Sequence, residues 1–228
     1  ERAARLRYAG PSAEVSVDLN SLISPDQFIL IAIFLLVGFP VHEFAHAFVA
    51  YRSGDATAKM FGRLPLNPVV HFDPIGGLFL IVSVLAGTGF VFGWAKPTPV
   101  NPGNLRDRRN GEVLVSVAGP ASNLIMASIA ALAFRGLLAA GFDLPSIVWD
   151  VLYYFVVYNV MLAVFNFLPI PPLDGASLLF RFLPLRYAWQ IRPFLTQYGL
   201  FILLFFIFFG GQYLGAIIGN VTNFLLGL

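Results

Sequence analysis

The chain has 228 residues, of which 58% are hydrophobic and 11% charged, with a mean hydropathy of +0.79 and 24 phenylalanines. A soluble domain carries nearer a quarter charged residues, so this composition excludes an ordinary water-soluble fold and indicates an integral membrane protein. The net charge of +2 gives no electrostatic footprint for nucleic acid, and the absence of cysteine leaves His, Asp and Glu as the side chains able to hold a metal.

Residues 1–25 carry Arg2, Arg5 and Arg7 and a Gly10-Pro11-Ser12 segment without helical periodicity; they read as an extramembrane arm, with no secretory signal pattern. From Asp26 an apolar run reaches about Ala50 and stops at Arg52-Ser53-Gly54, which predicts a first span with a kink at Pro40. Residues 54–75 read as loop. Residues 78–94 are apolar but broken by Ala86-Gly87-Thr88-Gly89, so they form either a short span or a hairpin that dips in and returns. A polar stretch, Lys96 to Glu112, leads to spans over 113–140 and 147–168 and, after a basic segment with Arg181, Arg186 and Arg192, to a last hydrophobic run over Tyr198–Gly219 interrupted by Gly210-Gly211. At about 20 residues per crossing, the expected fold is an all-α polytopic bundle of about four spans, membrane-embedded over 26–228.

Within the first span stands His42-Glu43-x-x-His46. Four residues apart on a helix, the two imidazoles share a face where they can grip one zinc ion, with Glu43 beside it as a base. Ionisable groups at membrane depth are costly and point to function before packing. A catalytic zinc site needs a third protein ligand, and the candidates are His71, Asp73 and Asp174. Asp174 follows the third span in a proline-rich turn that can bend its carboxylate back towards the bundle. Charge counting leaves the topology tied, because a spanning 78–94 and a re-entrant 78–94 each put ten of the fourteen Lys and Arg on one side. Asp174 can meet the two histidines only if 78–94 is re-entrant, which predicts four spans plus one hairpin with the site open to the cytoplasm.

Three segments taken together resemble the site-2 protease family of intramembrane zinc metalloproteases. They are His42-Glu43-x-x-His46, Gly119-Pro120-x-x-Asn123 and Asn166-x-x-Pro169-x-Pro171-x-Leu173-Asp174-Gly175, in the family's order, and the likeness covers roughly residues 27–180. The resemblance implies that His42, His46 and Asp174 bind one zinc ion, that Glu43 activates the water, and that Asn123 positions substrate or steadies the oxyanion. It also implies a lipid bilayer as the setting, a transmembrane protein as the substrate, and a prokaryotic plasma membrane, since the segment Asn67 to Pro74 looks like that of a small prokaryotic branch. The expectation is therefore a member with no PDZ insertion and no appended CBS domain. Two other functions fit the motif: a zinc hydrolase acting on a lipid or a surface peptide, and a metal transporter with the His-Glu-His cluster as a transit site.

Overall fold

The computed structural model describes residues 25–85 and 95–228, and every regular element among them is helical. The order is α1 (Pro25–Arg52), α2 (Thr57–Met60), α3 (Pro68–His71), α4 (Pro74–Leu85), a 3-10 turn (Pro102–Asn104), α5 (Arg108–Ala139), α6 (Ser146–Asn166), α7 (Ala176–Phe182) and α8 (Leu185–Leu226). Among the described residues α5, α6 and α8 are long and apolar enough to cross a membrane. The arm before Pro25 and the Gly-Thr-Gly break of the expected hairpin lie outside the described residues.

α1 runs unbroken through Pro40, and α5 begins at Arg108, five residues before the expected span. The early start has a local cause: Asp107 caps the helix, its carboxylate accepting from the Asn110 backbone N–H at 3.1 Å. α8 departs most from expectation, continuing for 42 residues through Pro193 and the Gly210-Gly211 pair. Away from water a helix is the cheapest way for a chain to satisfy its own backbone groups, so a glycine pair that breaks a soluble helix is carried here without interruption.

α5 lies antiparallel to both α1 and α6. Small side chains on α5 (Ala127, Ala130, Ala131) let α6 approach, and with Phe134, Trp149, Val156, Val160 and Ile218 they form the main apolar core. The outward face of α8 (Phe201, Phe205, Phe208, Phe209) is exposed, as suits a surface meeting lipid tails. At one end of the bundle the connections are tied together. The Arg106 N–H donates to the Ser53 carbonyl at 3.0 Å, and Arg109 donates to the Arg181 carbonyl at 2.8 Å. Asp55, fully buried, accepts from Thr57, from the Asn101 N–H at 2.7 Å and from the Asn104 amide at 2.9 Å. The C-terminus of α1, the N-terminus of α5 and the end of α7 therefore share one end, where residues 53–55 meet residues 101–106.

Candidate metal centre

His42 and His46 project from one face of α1 towards α5, and both are buried. Their Nδ1 atoms are each bound to an oxygen: His42 to Asn123 Oδ1 at 2.5 Å and His46 to the Val115 carbonyl at 2.6 Å. An oxygen in these positions accepts, so each Nδ1 carries the proton and each Nε2 presents a bare lone pair. Those two lone pairs stand 3.0 Å apart. Asp174 brings a carboxylate oxygen to 3.3 Å from His42 Nε2 and 3.2 Å from His46 Nε2. Three electron-rich atoms so close together repel one another unless a cation lies between them. A tetrahedral ion with bonds of about 2.0–2.1 Å holds its ligand atoms about 3.3 Å apart, which is the size of this triangle. The donor set therefore fits a divalent metal, and His42, His46 and Asp174 are the residues that could hold it.

The floor of the site is Gly119 on α5. A Cβ there would stand 2.3 Å from His46 Nε2 and 2.7 Å from His42 Cε1, so the imidazoles rest against bare backbone. The loop that carries Asp174 is seated in a similar way. The Gly175 N–H donates to the Asn166 carbonyl at 2.7 Å, and a Cβ at Gly199 of α8 would meet the Pro171 carbonyl oxygen at 2.1 Å. The Asn-x-x-Pro-x-Pro-x-Leu-Asp-Gly segment is thus a tight turn folded back on the end of α6 and resting on α8.

Glu43 lies beside the triangle and is held by the extended segment Lys96 to Val100. The Thr98 N–H donates to Glu43 Oε2 at 2.9 Å, and the Thr98 hydroxyl donates to the Glu43 carbonyl at 3.1 Å. Pro97 and Pro99 lack an N–H and restrict the residues before them to extended backbone, so Thr98 supplies the sole backbone donor of the Pro-Thr-Pro triplet. A cavity of about 230 Å³ opens here, lined among others by Glu43, His46, Asp174, Thr98, Ser177 and Arg192.

Of the other residues singled out in the sequence, Asp73 caps α4, accepting from the Ile75 and Gly76 N–H groups at 2.9 and 3.0 Å. His71 is buried away from the triangle against the Pro65 carbonyl, 3.1 Å from its Nε2. Asn123 lies behind His42, with no exposed surface, its oxygen bound to the ring and its amide donating to Asn159 Oδ1 at 2.8 Å. Asn159 and Thr98 were not singled out from the sequence. Their signals were an amide inside an otherwise apolar span and a lone donor between two prolines.

The chain matches peptidase family M50 over residues 138–210, a stretch that includes Asp174. It is 43% identical over 155 residues to "Putative zinc metalloprotease YwhC" of Bacillus subtilis, covering 64% of this chain and 65% of that one. It is 35% identical over 151 residues to "Putative zinc metalloprotease Rip2" of Mycolicibacterium smegmatis (65% and 55%), and 30% identical over 162 residues to "Putative zinc metalloprotease Rip3" of Mycobacterium tuberculosis (71% and 33%). The chain thus spans less than two thirds of the length of these curated relatives. No solved structure matches it. The family match lies over the Asn166-to-Gly175 segment that carries Asp174, and by these matches the chain is similar to peptidase family M50 and to relatives named as zinc metalloproteases.

Proposed function

We propose that this protein is an intramembrane zinc metalloprotease that hydrolyses a peptide bond in or near a transmembrane segment of a membrane protein. The observation that carries the reading is the triangle of His42 Nε2, His46 Nε2 and Asp174 Oδ2, with the Glu43 carboxylate beside it in one cavity. His42, His46 and Asp174 would hold the ion. When bound, zinc would polarise the scissile carbonyl and acidify a water molecule.

The chain's own residues do the rest. Glu43 takes a proton from the attacking water, whose oxygen bonds to the carbonyl carbon. As the carbon–nitrogen bond breaks, Glu43 returns that proton to the departing amine, so it ends as it began. Thr98 holds the carboxylate facing the cavity, and the Nδ1 partners of both histidines keep their rings aimed. A substrate helix has to unwind locally, because a helical carbonyl is already hydrogen-bonded.

The hydrogen bonds between residues 53–55 and 101–106 support a re-entrant path for 78–94, and with it four spans and a site opening to the cytoplasm. Glu43 separates hydrolysis from metal transport, since a base that is not a ligand is needed to cut a bond and is dispensable for passing an ion. Glu43→Gln should keep one zinc per chain and abolish cleavage of a tagged single-span protein in detergent. Cleavage at the parent rate by this variant would refute the assignment. A parent protein that cuts lipid or soluble peptide and leaves every spanning segment intact would favour the surface-hydrolase reading.

A further inference from the structure

We propose that Asn159 is a positioning residue that acts through Asn123 to fix the tautomer of His42, so that its Nε2 lone pair faces the metal position. The inference rests on the zinc reading above and adds a residue, on a helix that supplies none of the three ligands, to the machinery that prepares the site.

The argument starts at the far end of the relay. The Asn159 Nδ2 amide donates to the Phe155 carbonyl, one turn back on α6, at 2.8 Å. A carbonyl can only accept, so Asn159 has to turn its NH₂ towards it and its oxygen towards Asn123. Facing that oxygen, Asn123 has to present its own NH₂, at 2.8 Å, which leaves Asn123 Oδ1 for His42. Facing an oxygen in turn, His42 Nδ1 has to carry the proton, and Nε2 is left bare. Each link has one allowed direction because the first is anchored on a backbone acceptor. The sense of each amide thus follows from the network as a whole.

Burial makes the relay strict. Asn123 and Asn159 have no exposed surface, so water is not available to satisfy either amide in the wrong orientation. The oxygen and nitrogen of an amide are nearly the same size, and without Asn159 the Asn123 amide can turn over at little steric cost. Turned over, it offers N–H to His42 Nδ1, which then becomes the acceptor and moves the ring proton to Nε2, where it blocks metal binding. His46 has no such dependence, because its Nδ1 bonds directly to the Val115 carbonyl. The two histidines of one motif are therefore held in register by different means, and His42 alone depends on α6.

The test is zinc affinity of the purified full-length chain in detergent, measured by competition with a chromophoric chelator, so that no turnover is needed. Asn159→Leu, with the same branched skeleton but apolar, should weaken zinc binding by about tenfold or more. Asn159→Asp, which as a neutral acid donates to the Phe155 carbonyl and accepts from Asn123, should stay within about twofold of the parent. The telling variant is Asn123→Asp combined with Asn159→Leu. A carboxyl group at 123 has an oxygen on both sides, so the double variant should recover most of the affinity lost in Asn159→Leu, a non-additivity that loss of packing does not produce. If Asn159→Leu does not fold, Asn159→Ala, which has no polar side-chain atom, carries the same comparison. Parent affinity in Asn159→Leu, or equal weakness in the single and double variants, overturns the relay alone. A parent protein that takes up no zinc overturns the zinc reading and the relay together.

Discussion

Gly119→Ala tests the metal centre with a single methyl group. The added Cβ would stand 2.3 Å from His46 Nε2, 2.6 Å from His46 Cε1 and 2.7 Å from His42 Cε1. Nonbonded heavy atoms settle at about 3.5 Å or more, so the His46 ring has to retreat by about 1 Å. Zinc ligands tolerate displacements of about 0.2 Å, several times less. Rotating one ring does not relieve the clash, because both rings meet the methyl and the His46 Nδ1 bond to the Val115 carbonyl ties that ring to the preceding turn of the same helix. Overpacking of this kind costs about 1–3 kcal/mol, which as lost zinc affinity is about tenfold to a hundredfold. The assay is chelator competition on the purified variant, with thermal melting of both zinc-free proteins as the folding control. Gly136→Ala is the matched comparison, since it lies on the same helix with nothing within 4 Å of the new Cβ. Its zinc affinity should equal the parent's. If Gly119→Ala bound one zinc per chain within about twofold of the parent, the triangle of His42, His46 and Asp174 would not be the metal site.

Thr98→Pro keeps the extended backbone but deletes the N–H that holds the Glu43 carboxylate, whereas Thr98→Val deletes only the hydroxyl. A hydrogen bond to a charged group contributes about 1.5–3 kcal/mol, so Thr98→Pro should lower kcat about tenfold or more with little change in KM; Thr98→Val should do less, and equal kcat in Thr98→Pro and the parent would remove Thr98 from the mechanism. Burial opposes the charge of Asp55, but hydrogen bonds from Thr57, Asn104 and Asn101 outweigh it and hold its carboxyl below the usual 3.8. A pKa lowered in the folded state means stability that is complete above the unfolded value of 3.8 and is lost as pH falls from there through the folded one. Asp55→Asn should cost about 1–3 kcal/mol near neutral pH and flatten the fall in melting temperature on acidification; an unchanged acid profile would contradict this role. The chain has no cysteine, so cysteines placed at Met60 (83% exposed) and Arg108 (69% exposed on its side chain) can be labelled singly in sealed vesicles. Both should react from the cytoplasmic side, and reaction from opposite sides would rule out the re-entrant path.

What the sequence made legible was the chemistry that repeats at short range or depends on residue type. Two histidines one helical turn apart have to share a face, and Asp174, in a turn of prolines that cannot continue a helix, was the acid best placed to join them. Helix limits were less legible. The start of α5 depended on a cap at Asp107, and the persistence of α8 through Gly210 and Gly211 depended on the cost of an open backbone in lipid, which no residue type spells out. Least legible were the side chains hydrogen-bonded to Glu43 and behind the proposed ligands. Asn159 is 36 residues from Asn123, and Thr98 is 55 from Glu43, and nothing local in either stretch says that they meet. Asn123 shows the limit of motif reading, since its spacing marks it as part of the site while its neighbours decide which part.

The proposed ligand set is built from unequal supports. His42 and His46 belong to one helix, so the distance between them is set by the helical repeat and hardly varies. Asp174 belongs to a turn held at three points, by the Asn166 carbonyl at the end of α6, by the start of α7 and by the groove at Gly199 on α8. Two corners of the proposed centre thus rest on a single helix, and the third rests on a turn braced by three other elements. A shift of α8 against α6 would therefore be felt at Asp174, whose turn touches both helices, as a shelf bracketed to two walls feels either wall move.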